Sequence, residues 1–326
     1  MVTRAIIAGC GGYLPERVVT NDALGEAFGI ETSDAWIIER TGIRQRHIAA
    51  PGETASSMGA AAARQALERA GIPGSEVDCV IVATATPDSA FPATAVRIQA
   101  ALGSTKGFAF DVSAACTGFV YGLGLADALI RTGQARCAVV VGTEVFSRIL
   151  DWTDRGTCVL FGDGAGAVVL VAGEGRGDST DRGILSTHLH SDGRHGDILL
   201  VDGGAGSNGE CGKLRMSGKE VFRHAVSKLA SVVDEALEAN GLAQSDIRWL
   251  IPHQANARII DAMGKKLGLP KERVVVTVDR HANTSAASIP LALAEAAGKG
   301  LIERGDLMVL EGIGGGLTWG AALARF

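Results

Sequence analysis

The sequence predicts a pseudo-twofold α/β protein, two halves of alternating strands and helices laid out in the same order. Three observations carry this prediction. Near-continuous Val, Ile and Leu runs alternate with helical stretches along the whole chain. The segment order from Ala55 to Val171 recurs from Val221 to Leu323. A Gly/Asp/Ser-rich stretch with several charges, Gly173 to Asp181, lies between them and sets the halves at 1–175 and 176–326. Apolar runs without alternation suit strands buried on both faces, so the sheets are expected to be mixed, mainly parallel and covered by helices.

Taken in order, Arg4-Ala-Ile-Ile-Ala-Gly-Cys-Gly-Gly-Tyr13 is a first strand, and Val19-Thr-Asn-Asp-Ala-Leu24 supplies cap residues that open a helix. Trp36-Ile-Ile-Glu-Arg40-Thr-Gly-Ile-Arg44 is helical. Ala55 to Ala70 is an Ala-rich helix closed by Gly71. Val80-Ile-Val-Ala-Thr84 is a buried strand, followed by the turn Thr86-Pro-Asp-Ser-Ala-Phe-Pro92 and a helix through Arg97 to Leu102. Phe108-Ala-Phe110 leads into Asp111-Val-Ser-Ala-Ala-Cys116 and a long apolar helix. Ala138 to Gly142 and Ala165 to Val171 are further strands.

The second half answers these segments. The helix Val221 to Asn240 and Gly241-Leu-Ala-Gln-Ser-Asp-Ile-Arg-Trp-Leu-Ile251 repeat the Ala55 helix and Gly71-Ile-Pro-Gly-Ser-Glu-Val-Asp-Cys-Val-Ile81. Asn283-Thr-Ser-Ala-Ala-Ser288 opens a helix where the first half has Val112-Ser-Ala-Ala-Cys116. Gly305 to Gly312 matches Gln134 to Gly142, and Gly312-Ile-Gly-Gly-Gly-Leu-Thr-Trp-Gly matches Phe161-Gly-Asp-Gly-Ala-Gly. Cys116 belongs to the first half alone, so function is expected where the halves meet.

Composition bounds the function classes. With 47% hydrophobic and 21% charged residues the chain is globular, and its 44 glycines are nearly double the usual share of about 7%. A net charge of −5 argues against general nucleic-acid binding but allows a local basic face toward an acidic partner. The six cysteines contain no C-x-x-C pair, which suits reduced thiols and a cytoplasmic location. The first apolar run is too short for a signal peptide, and none approaches the roughly 18 residues of a membrane span.

Cys116 falls at the start of a helix, where unpaired N–H groups and the helix dipole favour an anion; this predicts a lowered thiol pKa and a nucleophile, against a buried core cysteine. His253, in Pro252-His-Gln-Ala-Asn256, follows a buried strand at the end where α/β sheets expose ligand sites; the plainer reading is a turn histidine. Asn283 is an N-cap, or a neighbour of the pseudo-symmetry mate of Cys116 that converges with it. Gly312-Ile-Gly-Gly-Gly316 is a hairpin, or a backbone oxyanion hole. Gly162-Asp-Gly-Ala-Gly166 lacks the Lys-Ser/Thr of a phosphate loop, and His188-Leu-His190 has no third metal ligand, so neither a phosphate site nor a metal is expected.

Four motifs, in order along the chain, resemble those of the β-ketoacyl-acyl-carrier-protein synthase III family: Asp111-Val-Ser-Ala-Ala-Cys116-Thr-Gly-Phe119, Pro252-His253-Gln-Ala-Asn256, Arg280-His-Ala-Asn283-Thr-Ser-Ala-Ala-Ser288 and Gly314-Gly-Gly-Leu-Thr-Trp-Gly-Ala-Ala-Leu323. The resemblance implies a thiolase-like, duplicated five-layer αβαβα architecture and a homodimer. It implies that Cys116 takes an acyl group from a short acyl-CoA, and that His253 and Asn283 polarise the thioester of malonyl-acyl carrier protein for decarboxylation and condensation. It further implies an oxyanion hole from the backbone of Cys116 and Gly315, and a coenzyme A site from Trp36, Arg40, Arg155, Phe222 and Asn256. Phe91 and Ile313 would border the primer pocket, Phe91 from the partner subunit, and Arg258, Arg223, Lys265 and Lys266 would receive the acidic carrier protein. Coenzyme A enters as substrate and no cofactor is implied. Ile313 and Lys219 replace the Phe and Asn of some members, which leaves primer preference and channel shape open.

The alternatives are a related acyltransferase of secondary metabolism, which shares these motifs, and a Cys-His-Asn thioester hydrolase, which would turn the acyl-enzyme over with water. A degradative thiolase would need a second cysteine in the last Gly-rich loop, where Ile313-Gly-Gly-Gly316 has none.

Overall fold

The computed structural model describes residues 1–326. Strands β1 (Val2–Tyr13) and β2 (Val18–Thr20) lead into helices α1 (Asn21–Phe28) and α2 (Asp34–Thr41), after which β3 (Gln45–His47) pairs back on β2. There follow α3 (Ala55–Ala70), β4 (Cys79–Ala83), α4 (Thr94–Ala101), β5 (Phe108–Val112), α5 (Gly118–Arg131), β6 (Cys137–Val145), α6 (Arg155–Cys158) and β7 (Asp163–Gly175). The chain then forms β8 (Gly183–Ser191), β9 (Leu199–Val201), β10 (Leu214–Met216), α7 (Gly218–Ala239), β11 (Trp249–Pro252) and α8 (Ala257–Lys266). It closes with α9 (Val278–His281), α10 (Ser288–Gly298), β12 (Leu307–Gly314) and β13 (Thr318–Arg325).

Local chemistry sets the boundaries. Thr20 and Ser33 accept the N–H groups of Ala23 and Trp36, each at 3.3 Å, and Thr54 opens α3 through a reciprocal capping box with Ser57. Gly29, Gly42 and Gly71 end α1, α2 and α3 with left-handed backbone.

Two mixed sheets carry the fold. The first has the order β1-β7-β6-β4-β5, with β6, β4 and β5 mutually parallel and β7 antiparallel to both β1 and β6. In the second, β11-β12-β13-β8, the β11–β12 pair is parallel and the other two pairs antiparallel. The apolar clusters show the layering. Helices α5 and α10 lie between the two sheets, in a core that takes residues from both (Ile81, Phe119, Leu123, Leu293, Leu310). Helices α3 and α4 cover the outer face of the first sheet, and α7 and α8 that of the second. The result is five layers, αβαβα. Close approach of α3 explains two of the glycines of β1: a Cβ on Gly9 or Gly11 would lie 2.2 Å from the carbonyl oxygen of Ala66 or Ala62, respectively. None of the helices is long and apolar enough to cross a membrane.

The duplication extends to backbone detail at the centre. Before α5 and α10 the chain makes equivalent 3-10 turns, Ala115–Thr117 and Ser285–Ala287. Both begin on a non-glycine residue with positive φ, Ala115 at 46° and Ser285 at 51°. Cys116 therefore sits in the tight turn preceding α5 and not in its first α-helical turn as expected, because the left-handed step at Ala115 keeps these residues off the helix path.

Candidate active site

A cavity of about 670 Å³ runs from Trp36 and Arg40 to a floor that includes Cys116, His253 and Asn283. Each of the three is held by contacts from distant segments. Cys116 is buried between the two sheets, and the end of β12 closes on it: a Cβ at Gly314 would meet the Cys116 backbone nitrogen at 2.6 Å. Gly312 lies in ordinary contact with the same turn, where a Cβ would stand 3.4 Å from the Cys116 carbonyl oxygen and 3.6 Å from His253 Cβ. The Gly-rich segment is thus the tip of the β12–β13 hairpin, with Gly314 opposite Thr318, and it packs against the thiol's own turn. Gly315 follows immediately.

His253 leaves β11 with its N–H donated to the Glu311 carbonyl at 2.7 Å. Its Nδ1 is 2.7 Å from Ser288 Oγ, which also accepts the Gln254 N–H at 3.2 Å. Gln254 is itself wholly buried: its Oε1 accepts the N–H groups of Thr277 and Val278 and its Nε2 donates to Val275 O, anchoring the segment that leads to Asn283. Asn283 is clamped from the first half, donating its N–H to Leu160 O at 2.9 Å and accepting from Gly162 N at 3.1 Å. Its side-chain Oδ1 accepts the Ser285 N–H at 2.9 Å, which leaves Nδ2 as a donor for the cavity.

Burial decides the protonation states. The His253 imidazole is pushed down to about 4, so it is neutral near pH 7. The Cys116 thiol, expected to be lowered, is pushed up to about 12. Its removal from water outweighs the hydrogen bonds from Ser285 and its own N–H, and the nearby Glu144 charge opposes ionisation further. A helix start alone therefore does not supply a resting thiolate here.

Of the remaining expected residues, Trp36, Arg40, Phe222, Asn256, Arg258 and Ile313 line the same cavity. Arg155 and Arg40 both stack on the Trp36 indole, their guanidinium carbons 4.7 and 4.8 Å from its centroid. Asn256 also caps α8, accepting from Ile259 N at 3.0 Å. Arg223 is one residue beyond Phe222 on α7 and pairs with Glu220, and Lys265 and Lys266 end the helix whose first turn holds Arg258. Phe91 is not in the cavity and is 85% exposed. His188 and His190 share one face of β8, as alternation predicts, and both bind the Glu235 carboxylate. No group of three His, Cys, Asp or Glu residues comes together in a metal-binding arrangement.

The residues missed by sequence reasoning are Ser285 and Ser288, which lie inside a motif already singled out, and Glu144. The signal for Glu144 was an acid inside the apolar strand Cys137–Val145, every residue of which is buried.

Two family models match the chain: 3-Oxoacyl-[acyl-carrier-protein (ACP)] synthase III over residues 110–193, and its C-terminal counterpart over residues 237–326. The chain belongs to the 3-oxoacyl-[acyl-carrier-protein] synthase III family. It is 68% identical over 323 residues to the beta-ketoacyl-[acyl-carrier-protein] synthase III of Acidiphilium cryptum (strain JF-5), covering 99% of each chain. It is 63% identical over 325 residues to that of Paramagnetospirillum magneticum (strain ATCC 700264 / AMB-1), covering all of both. Among solved structures, the 3-oxoacyl-[acyl-carrier-protein] synthase III of Aquifex aeolicus VF5 superposes with a TM-score of 0.92 at 46% identity, over 99% of this chain and 100% of the other. The Pseudomonas aeruginosa PAO1 synthase gives the same TM-score and identity over 99% and 98%.

Proposed function

We propose that this protein is the condensing enzyme that initiates type II fatty acid synthesis, joining a short acyl-CoA to malonyl-acyl carrier protein with loss of CO₂. The observation that carries the reading is the shared cavity floor, where one thiol faces two neutral donors, His253 and Asn283. In the first half-reaction Cys116 Sγ attacks the acyl-CoA carbonyl and coenzyme A leaves, with the Cys116 and Gly315 N–H groups receiving the oxyanion. In the second, His253 Nε2 and Asn283 Nδ2 hydrogen-bond the malonyl thioester oxygen. Decarboxylation then gives an enolate that attacks the acyl-cysteine. Neutral donors suit this role, because they stabilise charge as it develops without being ionised beforehand. Residues 1–175 supply the nucleophile and 176–326 the decarboxylating pair, and coenzyme A enters as substrate with no prosthetic group required.

The cavity's charged aromatic entrance, Trp36 with Arg40 and Arg155, suits the nucleotide end of coenzyme A. The basic residues Arg258, Arg223, Lys265 and Lys266 suit an acidic carrier protein. A homodimer is supported by β5, an unpaired edge of the first sheet, where exposed Phe108 lies with exposed Phe91, Val96 and Leu125 on the neighbouring segments. Phe91 then reaches the partner's primer pocket. A cytoplasmic location follows from these substrates.

The test is intact-mass analysis after mixing with a panel of acyl-CoAs, followed by malonyl-carrier protein. Acyl adducts confined to Cys116 and conversion to β-ketoacyl-carrier protein are expected. Release of free acid from acyl-CoA alone, with no condensation product, would make the protein a hydrolase.

A further inference from the structure

The Cys116 side chain is buried, so a thiolate formed there lacks the water that would otherwise hold its charge. The titratable groups around it give no help: the His253 imidazole is neutral near pH 7, and the Glu144 charge opposes a second negative charge. One side chain does reach the sulfur. Ser285 Oγ donates to Cys116 Sγ at 3.3 Å, a buried contact between the two halves and the only hydrogen bond that another residue makes to this atom. The backbone aims the hydroxyl. Ser285 opens the 3-10 turn before α10 with φ at 51°, and Ala115 opens the matching turn before α5 with φ at 46°. The two turns are neighbours, and a Cβ on Gly118 would stand 3.7 Å from Ala286 Cβ. Alanine at 115 shows that the left-handed step does not call for a hydroxyl, so the serine at 285 is explained by what its side chain meets. Its N–H is donated elsewhere, to Asn283 Oδ1 at 2.9 Å, which separates the role of the backbone from that of the hydroxyl.

We propose that Ser285 is a further catalytic residue: its hydroxyl donates to Cys116 Sγ as the sulfur gains negative charge, both when the thiol ionises to attack acyl-CoA and when the thiolate is expelled in condensation. The inference rests on the reading of Cys116 as the nucleophile. A hydrogen bond to an ionised partner is roughly twice as strong as one between neutral groups. The contact therefore favours thiolate over thiol, and an interaction that strengthens as charge develops is the kind that speeds a step. It works against burial, which holds the thiol pKa high, and it does so without adding a positive charge to the site.

The steps balance over the cycle. In acylation the thiol gives its proton to solvent, the S–C bond to Cys116 forms, and the bond to the coenzyme A sulfur breaks with its electron pair; that thiolate takes a proton from water. Loss of CO₂ leaves the enolate, whose attack forms the C–C bond, and the pair of the broken S–C bond returns to Cys116 Sγ beside the Ser285 hydroxyl. Reprotonation from solvent closes the cycle, with one proton taken up for each CO₂ released.

Ser285→Ala keeps the backbone that Ala115 already adopts, and Ser285→Gly keeps it without the cost of a side chain at positive φ. Alkylation of Cys116 by iodoacetamide from pH 6 to 9, and its acylation by a short acyl-CoA, are followed by intact-mass analysis with peptide mapping in the wild type and both variants. Both reactions are expected to slow by about tenfold to a hundredfold, the loss of a hydrogen bond to a charged group, with the rise of alkylation rate displaced to higher pH. Decarboxylation of malonyl-carrier protein is measured in Cys116→Ala and in Cys116→Ala with Ser285→Ala, where no sulfur is present, and the two should agree. Wild-type rates of alkylation and acylation at Cys116 in both variants would overturn the proposal. An equal fall in decarboxylation would overturn it too, making Ser285 only a brace for Asn283. An acyl adduct on a residue other than Cys116 in the wild type would overturn the nucleophile reading and the role of Ser285 with it.

Discussion

Ser288 Oγ and His253 Nδ1 are 2.7 Å apart, at the start of α10 and the end of β11, and the serine oxygen is also held by the Gln254 N–H. With that N–H occupying one lone pair, the hydroxyl hydrogen is directed to the imidazole Nδ1, and the ring's own hydrogen is carried on Nε2. Ser288→Ala frees the imidazole to adopt either tautomer. Malonyl-carrier protein decarboxylation should fall about tenfold or more, the order expected for losing a buried hydrogen bond, with Cys116 acylation nearly unchanged. Separate assays of the two half-reactions check this, and a uniform loss in both would show only a packing role.

The Trp36 indole carries a guanidinium against it from both Arg40 and Arg155. Trp36→Ala should raise the KM for acyl-CoA about tenfold, within the range of cation–π and stacking energies, with little change in kcat. Steady-state kinetics at fixed malonyl-carrier protein would settle the matter; a kcat effect with unchanged KM would remove Trp36 from the coenzyme A site.

Arg258 is in the first turn of α8 and lines the cavity, with Lys265 two turns along the same helix. Charge reversal by Arg258→Glu should slow reaction with malonyl-carrier protein by about tenfold at low salt and less at physiological ionic strength, where the Debye length is about 8 Å. Acylation from acyl-CoA should be spared. Equal loss in both half-reactions at two ionic strengths would place Arg258 in the cavity chemistry and not in docking.

Glu311 on β12 is wholly buried, neither carboxyl oxygen has a hydrogen-bond partner in the protein, and burial raises its pKa from 4.5 to about 8. Between those values the folded chain keeps a proton that the unfolded chain releases, so this group makes stability fall as the pH rises. The whole effect is on the order of 5 kcal/mol. Glu311→Gln should therefore gain stability relative to the wild type steadily from pH 5 to 8, as read by urea unfolding at each pH. A constant difference across that range would mean that Glu311 is not protonated in the folded state.

Much of the architecture is legible in the amino-acid order because it depends on neighbours. Thr20, Thr54 and Gly71 act on residues a few positions away, and the Ala55–Ala70 helix begins and ends where its caps place it. The repeat likewise made the turns before α5 and α10 correspond, and the motifs pointed to Cys116, His253 and Asn283. What the tertiary structure decided is the chemistry of those residues. Cys116 meets Ser285 across 169 positions of sequence, and burial drives its thiol up where a helix start by itself would lower it. Glu144 and Glu311 look like ordinary acids until two sheets and three helical layers close around them. Their protons are held by desolvation, which depends on everything that packs nearby and so cannot be read from any one stretch of chain.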